Sequence, residues 1–165
     1  MVRQLEEGDF PTWRELWLAY LKFYRAEVSD SVTRDSFRRL HQRADGLVGL
    51  VAPGDDGQLQ GFVHLVFHPS TWSSAPYCYV EDLFVAPPAR GTAVAMDLLQ
   101  AAYAEADRRG AARTYWETQA FNGAARSLYD QVAHPTSFVV YERCEPARSA
   151  NRLSGLPARS AQGQV

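Results

Sequence analysis

The sequence predicts an α/β domain, a mixed and mainly antiparallel sheet flanked by helices in the order β-α-α-β-β-β-α-β-α-β. Apolar residues recur at three and four residues in several segments, the mark of amphipathic helices. Between them lie short apolar runs bounded by Gly, Pro and Asp, the mark of strands. The abrupt change of composition after residue 143 divides the chain into a folded domain, 1–143, and a low-complexity tail, 144–165.

Each element follows from local chemistry. Val2 to Leu5 reads as a first strand. Asp9 offers an N-cap and Pro11 a helix start, and Trp13, Leu16, Trp17, Tyr20, Leu21 and Tyr24 then share one helical face. Most of these aromatics read as core, with Phe23-Tyr24 at the helix end placed to line a pocket. A second helix is expected over Thr33–Gln42, capped by Thr33 or a neighbour. Leu47–Ala52 and Leu59–Phe67 flank Pro53-Gly54-Asp55-Asp56-Gly57, hence a hairpin. His64 and His68 share a strand face without converging, so they read as structural or solvated and no metal is expected. A loop over Pro69–Pro76 leads to a strand over Tyr77–Val85, ended by Pro87-Pro88. Helical periodicity from Gly91 to Arg109 stops at Gly110, a C′ glycine. A strand over Thr114–Thr118, a helix from Asn122 to about Val132 and a closing strand over Ser137–Glu142 complete the domain.

Bulk properties narrow the function. The 165 residues, 46% hydrophobic and 22% charged, suffice for one core. A net charge of −2 argues against a nucleic-acid partner. No apolar run is long enough to span a membrane, and the N-terminus lacks the apolar core of a signal peptide. Cys78 and Cys144 show neither metal-ligand nor disulfide-framework spacing, which fits a reduced, cytoplasmic setting.

The chemistry is carried by three stretches. In the first, the strand ending at Val85 passes through a proline-containing loop into Arg90-Gly91-Thr92-Ala93-Val94-Ala95 and a helix. Unpaired amides and the positive dipole end favour an anion there, small side chains admit it to the backbone, and Arg90 adds charge. In the second, Asn122 opens a helix and Tyr129 follows seven residues later, on the same face and about 10 Å along the axis. Taken singly, Asn122 is an N-cap and Tyr129 a packed ring. The third is the acidic strand Tyr79-Val80-Glu81-Asp82-Leu83-Phe84-Val85, where alternation puts Glu81 and Leu83 on one face and Asp82 and Phe84 on the other.

Together these stretches resemble the GNAT superfamily of N-acetyltransferases over roughly residues 2 to 143. The pyrophosphate loop of that family reads Arg/Gln-x-x-Gly-x-Gly/Ala; Arg90 and Ala95 match it, and Ala93 stands where the glycine belongs. The acidic strand and Ala112-Arg113-Thr114-Tyr115-Trp116-Glu117-Thr118 are similar to the spermidine/spermine and the yeast histone and polyamine acetyltransferase branches, although Arg25 lies near where polyamine enzymes carry acidic residues. The resemblance implies acetyl-CoA as acetyl donor and a small-molecule primary amine as acceptor. It places the donor on Leu83, Phe84, Val85, Arg90, Gly91, Thr92, Ala93, Val94, Ala95, Met96, Asn122 and Ala125, and the amine near Tyr24, Glu81 and Glu117.

The same resemblance implies direct transfer. Glu81 would take the ammonium proton, directly or through water, the amine would attack the thioester, and Tyr129 would protonate the departing thiolate. It further implies a homodimer and parted strands that free amides around Leu83–Val85 to hold the pantetheine arm. Two other readings remain open at this stage: a protein or peptide N-acetyltransferase, and a degenerate, non-catalytic CoA-binding module suggested by Ala93.

Overall fold

The computed structural model describes residues 1–143, so the expected tail lies outside the described residues. The elements are β1 (Arg3–Gln4), α1 (Phe10–Tyr24), α2 (Asp30–Gln42), β2 (Leu47–Pro53), β3 (Leu59–Ser70), β4 (Ser73–Val85), α3 (Val94–Arg108), β5 (Arg113–Trp116) and α4 (Gly123–Tyr129). They form one five-stranded sheet in the order β1-β2-β3-β4-β5. The first four strands are antiparallel neighbours, and β5 returns parallel to β4 after the crossover through α3.

Alternation along the strands divides the core in two. Val48, Leu50, Val63, Leu65, Cys78 and Val80 face α3, where Leu98, Ala102 and Ala106 cover them. Val51, Phe62 and Phe84 face the other way and are covered by Trp13 and Leu16 of α1 and by Phe37 and Leu40 of α2. The helical stripe foreseen in α1 is therefore real, but Trp17, Tyr20 and Tyr24 are only half-buried, Trp17 packing on Phe62 of β3 and Tyr20 on Phe84 of β4.

Several boundaries differ from expectation for local reasons. Asp9 precedes α1, yet its carboxylate does not cap that helix; it pairs with both ends of the Arg3 guanidinium at 2.7 and 2.8 Å and accepts the Glu6 amide. In α2 the cap is Ser29, whose hydroxyl accepts from Val32, while Thr33 is buried inside the helix. The loop expected over Pro69–Pro76 shrinks to a tight reversal, because β3 runs on to Ser70 and β4 starts at Ser73. Helix α3 starts at Val94, leaving Gly91–Ala93 as a turn, and Gly110 follows it at φ +65°, as its C′ role requires. Helix α4 stops at Tyr129.

Ser137–Glu142 does not close the sheet: the described residues of this stretch form no strand, and the edge is β5. Phe138, Val139, Val140 and Tyr141 alternate in no buried pattern and are 75, 71, 68 and 92% exposed. Strand-forming side chains alone do not hold a strand that buries no face.

At the far end of α3, Glu105 is a charged hub, 9% exposed, bonded by Arg108, Arg109 and Arg43. Desolvation opposes its ionisation, but the hydrogen bonds from Arg108 and Arg109 and the charge of Arg43 outweigh it and hold its pKa below the usual value. A lowered folded-state pKa contributes stability that is present above the unfolded value and lost as pH falls through the folded one. Glu105→Gln should therefore lower urea stability by about 1–3 kcal/mol at neutral pH. The deficit should shrink below about pH 4, where the parent carboxylate also protonates. A constant deficit across that range would show that shape, not charge, is what Glu105 supplies.

Candidate functional site

The site begins with an irregularity in the β3–β4 ladder. His64 pairs with Asp82, but the next residue, Leu65, pairs with Val80, so Glu81 has no partner and forms a β-bulge. Val80 and Leu83 both pack toward α3, and the two residues between them turn to the α1 side. Asp82 contacts His64 there, and Tyr20 of α1 feels the charge of both Asp82 and Glu81. Strict alternation, which would separate the two carboxylates, fails because of this one inserted residue.

The same place marks the end of the β4–β5 ladder. Their parallel pairing runs from Tyr77–Arg113 to Val80–Trp116 and stops, while β4 continues to Val85. Among the described residues that edge of β4 has no strand partner from Glu81 to Val85, and an extended ligand can take backbone hydrogen bonds along it. The free edge, bearing Leu83, Phe84 and Val85, leads into the turn before α3. Gly91 sits there at φ +77°, a conformation that L side chains rarely adopt. An added Cβ would meet nothing within 4 Å, so backbone geometry and not space explains the glycine. Ala93 is right-handed, at φ −70° and ψ −10°, so its methyl costs no backbone strain. The amides of Val94, Ala95 and Met96 open the helix without intrahelical acceptors. Thr92 donates to the Ala89 carbonyl at 2.6 Å, bracing the turn. Arg90 is exposed, donates to the Val85 carbonyl at 3.1 Å and lies over the Phe84 ring.

Two helix ends flank the gap. Asn122 caps α4, its side chain accepting from Ala125 at 3.3 Å, and Tyr129 ends the same helix. The Tyr129 ring meets Trp116 edge-on at 5.3 Å. Burial, and secondarily Tyr24, pushes its hydroxyl up to about 12, so it stays protonated through the neutral range. Tyr24, at the end of α1, holds its proton more tightly through burial and then the Asp82 charge. Glu81 is raised above the ordinary carboxylate value, first by desolvation, then by Asp82 and Glu117. The residue as a whole still presents surface to solvent, so this carboxyl is partly dehydrated and reachable at once. Glu117 is exposed just beyond β5, close enough to act on Tyr79 and Tyr115 as well.

Sequence reasoning named Tyr24, Glu81, Glu117 and Tyr129, and the fold links them by charge: Glu81 with Asp82 and Glu117, Asp82 with Tyr24, and Tyr24 with Tyr129. It missed Asp82, Tyr20 and His64. His64 is 3% exposed and bonded to both Trp13 and Asp82, so it is structural, as expected, but it is anchored to the cleft. A histidine in a run otherwise as apolar as Gly61-Phe62-Val63-Leu65-Val66 was the available signal. Cys78 is buried, and burial pushes its thiol up to about 11, which leaves it a poor nucleophile. A cavity of about 490 Å³ lined by Arg43, Phe67, Pro76, Arg108 and Arg109 lies at the opposite end of the sheet. Those guanidiniums already answer Glu105.

Comparison with known proteins identifies the family and the fold. The acetyltransferase (GNAT) family matches residues 10–133. The D-amino-acid N-acetyltransferase HPA3 of Saccharomyces cerevisiae is 31% identical over 144 residues, covering 87% of this chain and 89% of the yeast protein. The uncharacterized N-acetyltransferase YhfO of Bacillus subtilis is 32% identical over 149 residues, 89% of this chain and 99% of its own. Among solved structures, a probable acetyltransferase superposes with a TM-score of 0.77 at 23% identity, covering 91% of this chain and 99% of that one. The aminoglycoside acetyltransferase AAC(6')-Iy, bound to a CoA-linked bisubstrate analog, gives 0.76 at 22% identity, covering 88% and 98%. These two share the fold.

The turn before α3 makes a direct prediction. Gly91→Ala forces a side chain into a left-handed backbone and should destabilise the protein by about 1–2 kcal/mol. It should also reduce the thermal stabilisation that CoA gives, relative to Ser127→Ala on the exposed face of α4. An unchanged CoA response would separate this turn from the donor site.

Proposed function

The chain belongs to the acetyltransferase (GNAT) family and uses acetyl-CoA as acetyl donor, and on that premise we propose that it acetylates the primary amine of a small molecule in the cleft between α1, β4 and α4. The observation that carries this reading is the bulge at Glu81, which turns two carboxylates toward one aromatic-walled cleft beside the free edge of β4. Carboxylates and ring faces together favour an ammonium group.

The donor brings an acetyl group activated as a thioester. Free amides from Leu83 to Val85 hold its extended arm and polarise the carbonyl, while Gly91 to Met96 receive its phosphates. Arg90, Asn122 and Ala125 shape the same surface. Asp82 and Glu117 attract the ammonium, with Tyr24 at the mouth. Glu81 takes the proton from it, directly or through one water, since an alkyl ammonium titrates near 10 and must be deprotonated to react. The raised Glu81 value makes it a better base than an ordinary carboxylate. The neutral amine would then attack the thioester carbonyl, the C–S bond breaking as the C–N bond forms, and Tyr129 would protonate the departing sulfur.

The yeast relative is named for D-amino acids, and Arg25 is an exposed cation directly after Tyr24, held left-handed at φ 54°. Both favour an amine whose own carboxylate can answer that cation. The likeness to polyamine enzymes rests on the acidic strand and on residues 112–118, and Arg25 departs from it. The proposal includes a cytoplasmic homodimer, supported by the exposed apolar strip at Phe138–Tyr141.

Acetyl-CoA consumption should be faster with amino acids than with spermidine, aminoglycosides or peptides carrying a lysine. A preference for peptides would replace the acceptor class. For Glu81→Gln, turnover near neutral pH should fall by about 10²–10⁴-fold and recover partly at high pH, where the amine is already neutral. Tyr129→Phe should lower turnover with CoA affinity kept. Its deficit should narrow above about pH 8.5, where a thiolate leaves unaided. With the Tyr129 hydroxyl at about 12, the parent should show no alkaline loss of its own across that range. A deficit that is absent or grows with pH removes Tyr129 from the mechanism.

A further inference from the structure

We infer that Trp13 and His64 form a buried positioning chain that fixes the Asp82 carboxylate beside Glu81 and thereby governs how readily Glu81 accepts a proton. The inference rests on the proposed role of Glu81 as base and adds two residues remote from any substrate.

The chain is defined by hydrogen-bond chemistry. The Trp13 indole nitrogen, in a side chain with no exposure, lies 3.0 Å from His64 Nε2. An indole N–H can only donate, so Nε2 must accept. The proton of the neutral ring is then on Nδ1, which donates to Asp82 Oδ2 at 2.8 Å. The ring is stacked on Phe62 at 4.4 Å and 14° and flanked by Trp13 and Trp17, so it cannot turn to another partner. An apolar side chain would fill this pocket without the cost of burying an imidazole. What the imidazole adds is a directed N–H at the floor of the cleft.

Geometry then transmits the effect. Asp82 and Glu81 are consecutive across the bulge and face the same side, so the distance between their charges depends on where the Asp82 carboxylate is held. The other groups around the pair are Tyr20 and Tyr24 on α1, Tyr79 on β4, Tyr115 on β5, Glu117 beyond it and, next to Tyr24, Tyr129 on α4. Among these, Asp82 and Glu117 are the anions that repel a charge on Glu81, and only Asp82 is held by a buried donor. Released from His64, its carboxylate loses one of the two side-chain donors that hold it, the other being the Tyr20 hydroxyl, and can shift so that it repels Glu81 less.

The test compares pH profiles of kcat/KM for the amine at saturating acetyl-CoA. Asp82→Asn should move the acid limb to lower pH, which sets the largest shift available. His64→Gln reaches Trp13 but presents no donor at the Nδ1 position, and it should move the limb the same way. His64→Asn keeps an N–H at that position and should leave the limb near the parent's. At one pH unit below the parent midpoint, the Gln variant should retain a several-fold larger fraction of its plateau than the Asn variant. Equal limbs for Gln, Asn and parent, whatever their melting temperatures, would overturn the chain as a positioning device. An unmoved limb in Asp82→Asn would overturn it as well. An acid limb that survives in Glu81→Gln would instead refute the base assignment, a distinguishable failure.

Discussion

Everything that the cleft can do depends on one extra residue in β4. Without the bulge at Glu81, alternation would send one carboxylate into the cluster under α3, where an unpaired charge costs several kcal/mol. With it, Val80 and Leu83 both remain in that apolar cluster while Glu81 and Asp82 share the opposite face. The β4–β5 ladder ends at Val80, one residue before the bulge, so the acidic pair and the free strand edge appear together. The local distortion thus places two carboxylates beside the free strand edge.

The surroundings of that pair are consistent with acetyl transfer without a covalent enzyme intermediate. Burial raises Glu81 and keeps the Tyr129 proton in place, which suits the base and acid roles proposed for them. The described thiol, Cys78, faces α3 on the far side of the sheet and stays protonated.

The sequence made the helices, the hairpin and the turn before α3 legible because each rests on short-range chemistry: periodicity, Asp-Gly turns and glycines that accept positive φ. It singled out Glu81 and Tyr129 through their resemblance to family motifs, and the roles assigned to them are proposals. It misplaced Asp82 because a bulge breaks the period-two rule without any Gly or Pro to announce it. Ser137–Glu142 has the composition of a strand, yet whether such a segment pairs depends on what its sides can bury. Asp9 shows a third limit, since an N-cap residue type was drawn off by Arg3, a partner fixed only by the tertiary fold.

The central claim is that the donor lies along the free edge of β4 and presents its acyl carbon between Glu81 and Tyr129. A crystal structure of the protein with CoA tests this most directly. It should show the pantetheine amides paired with backbone groups between Glu81 and Val85, phosphates on the amides from Gly91 to Met96, and the sulfur within hydrogen-bond reach of the Tyr129 hydroxyl. CoA bound elsewhere, for instance against Arg43, Arg108 and Arg109 at the opposite end of the sheet, would contradict it.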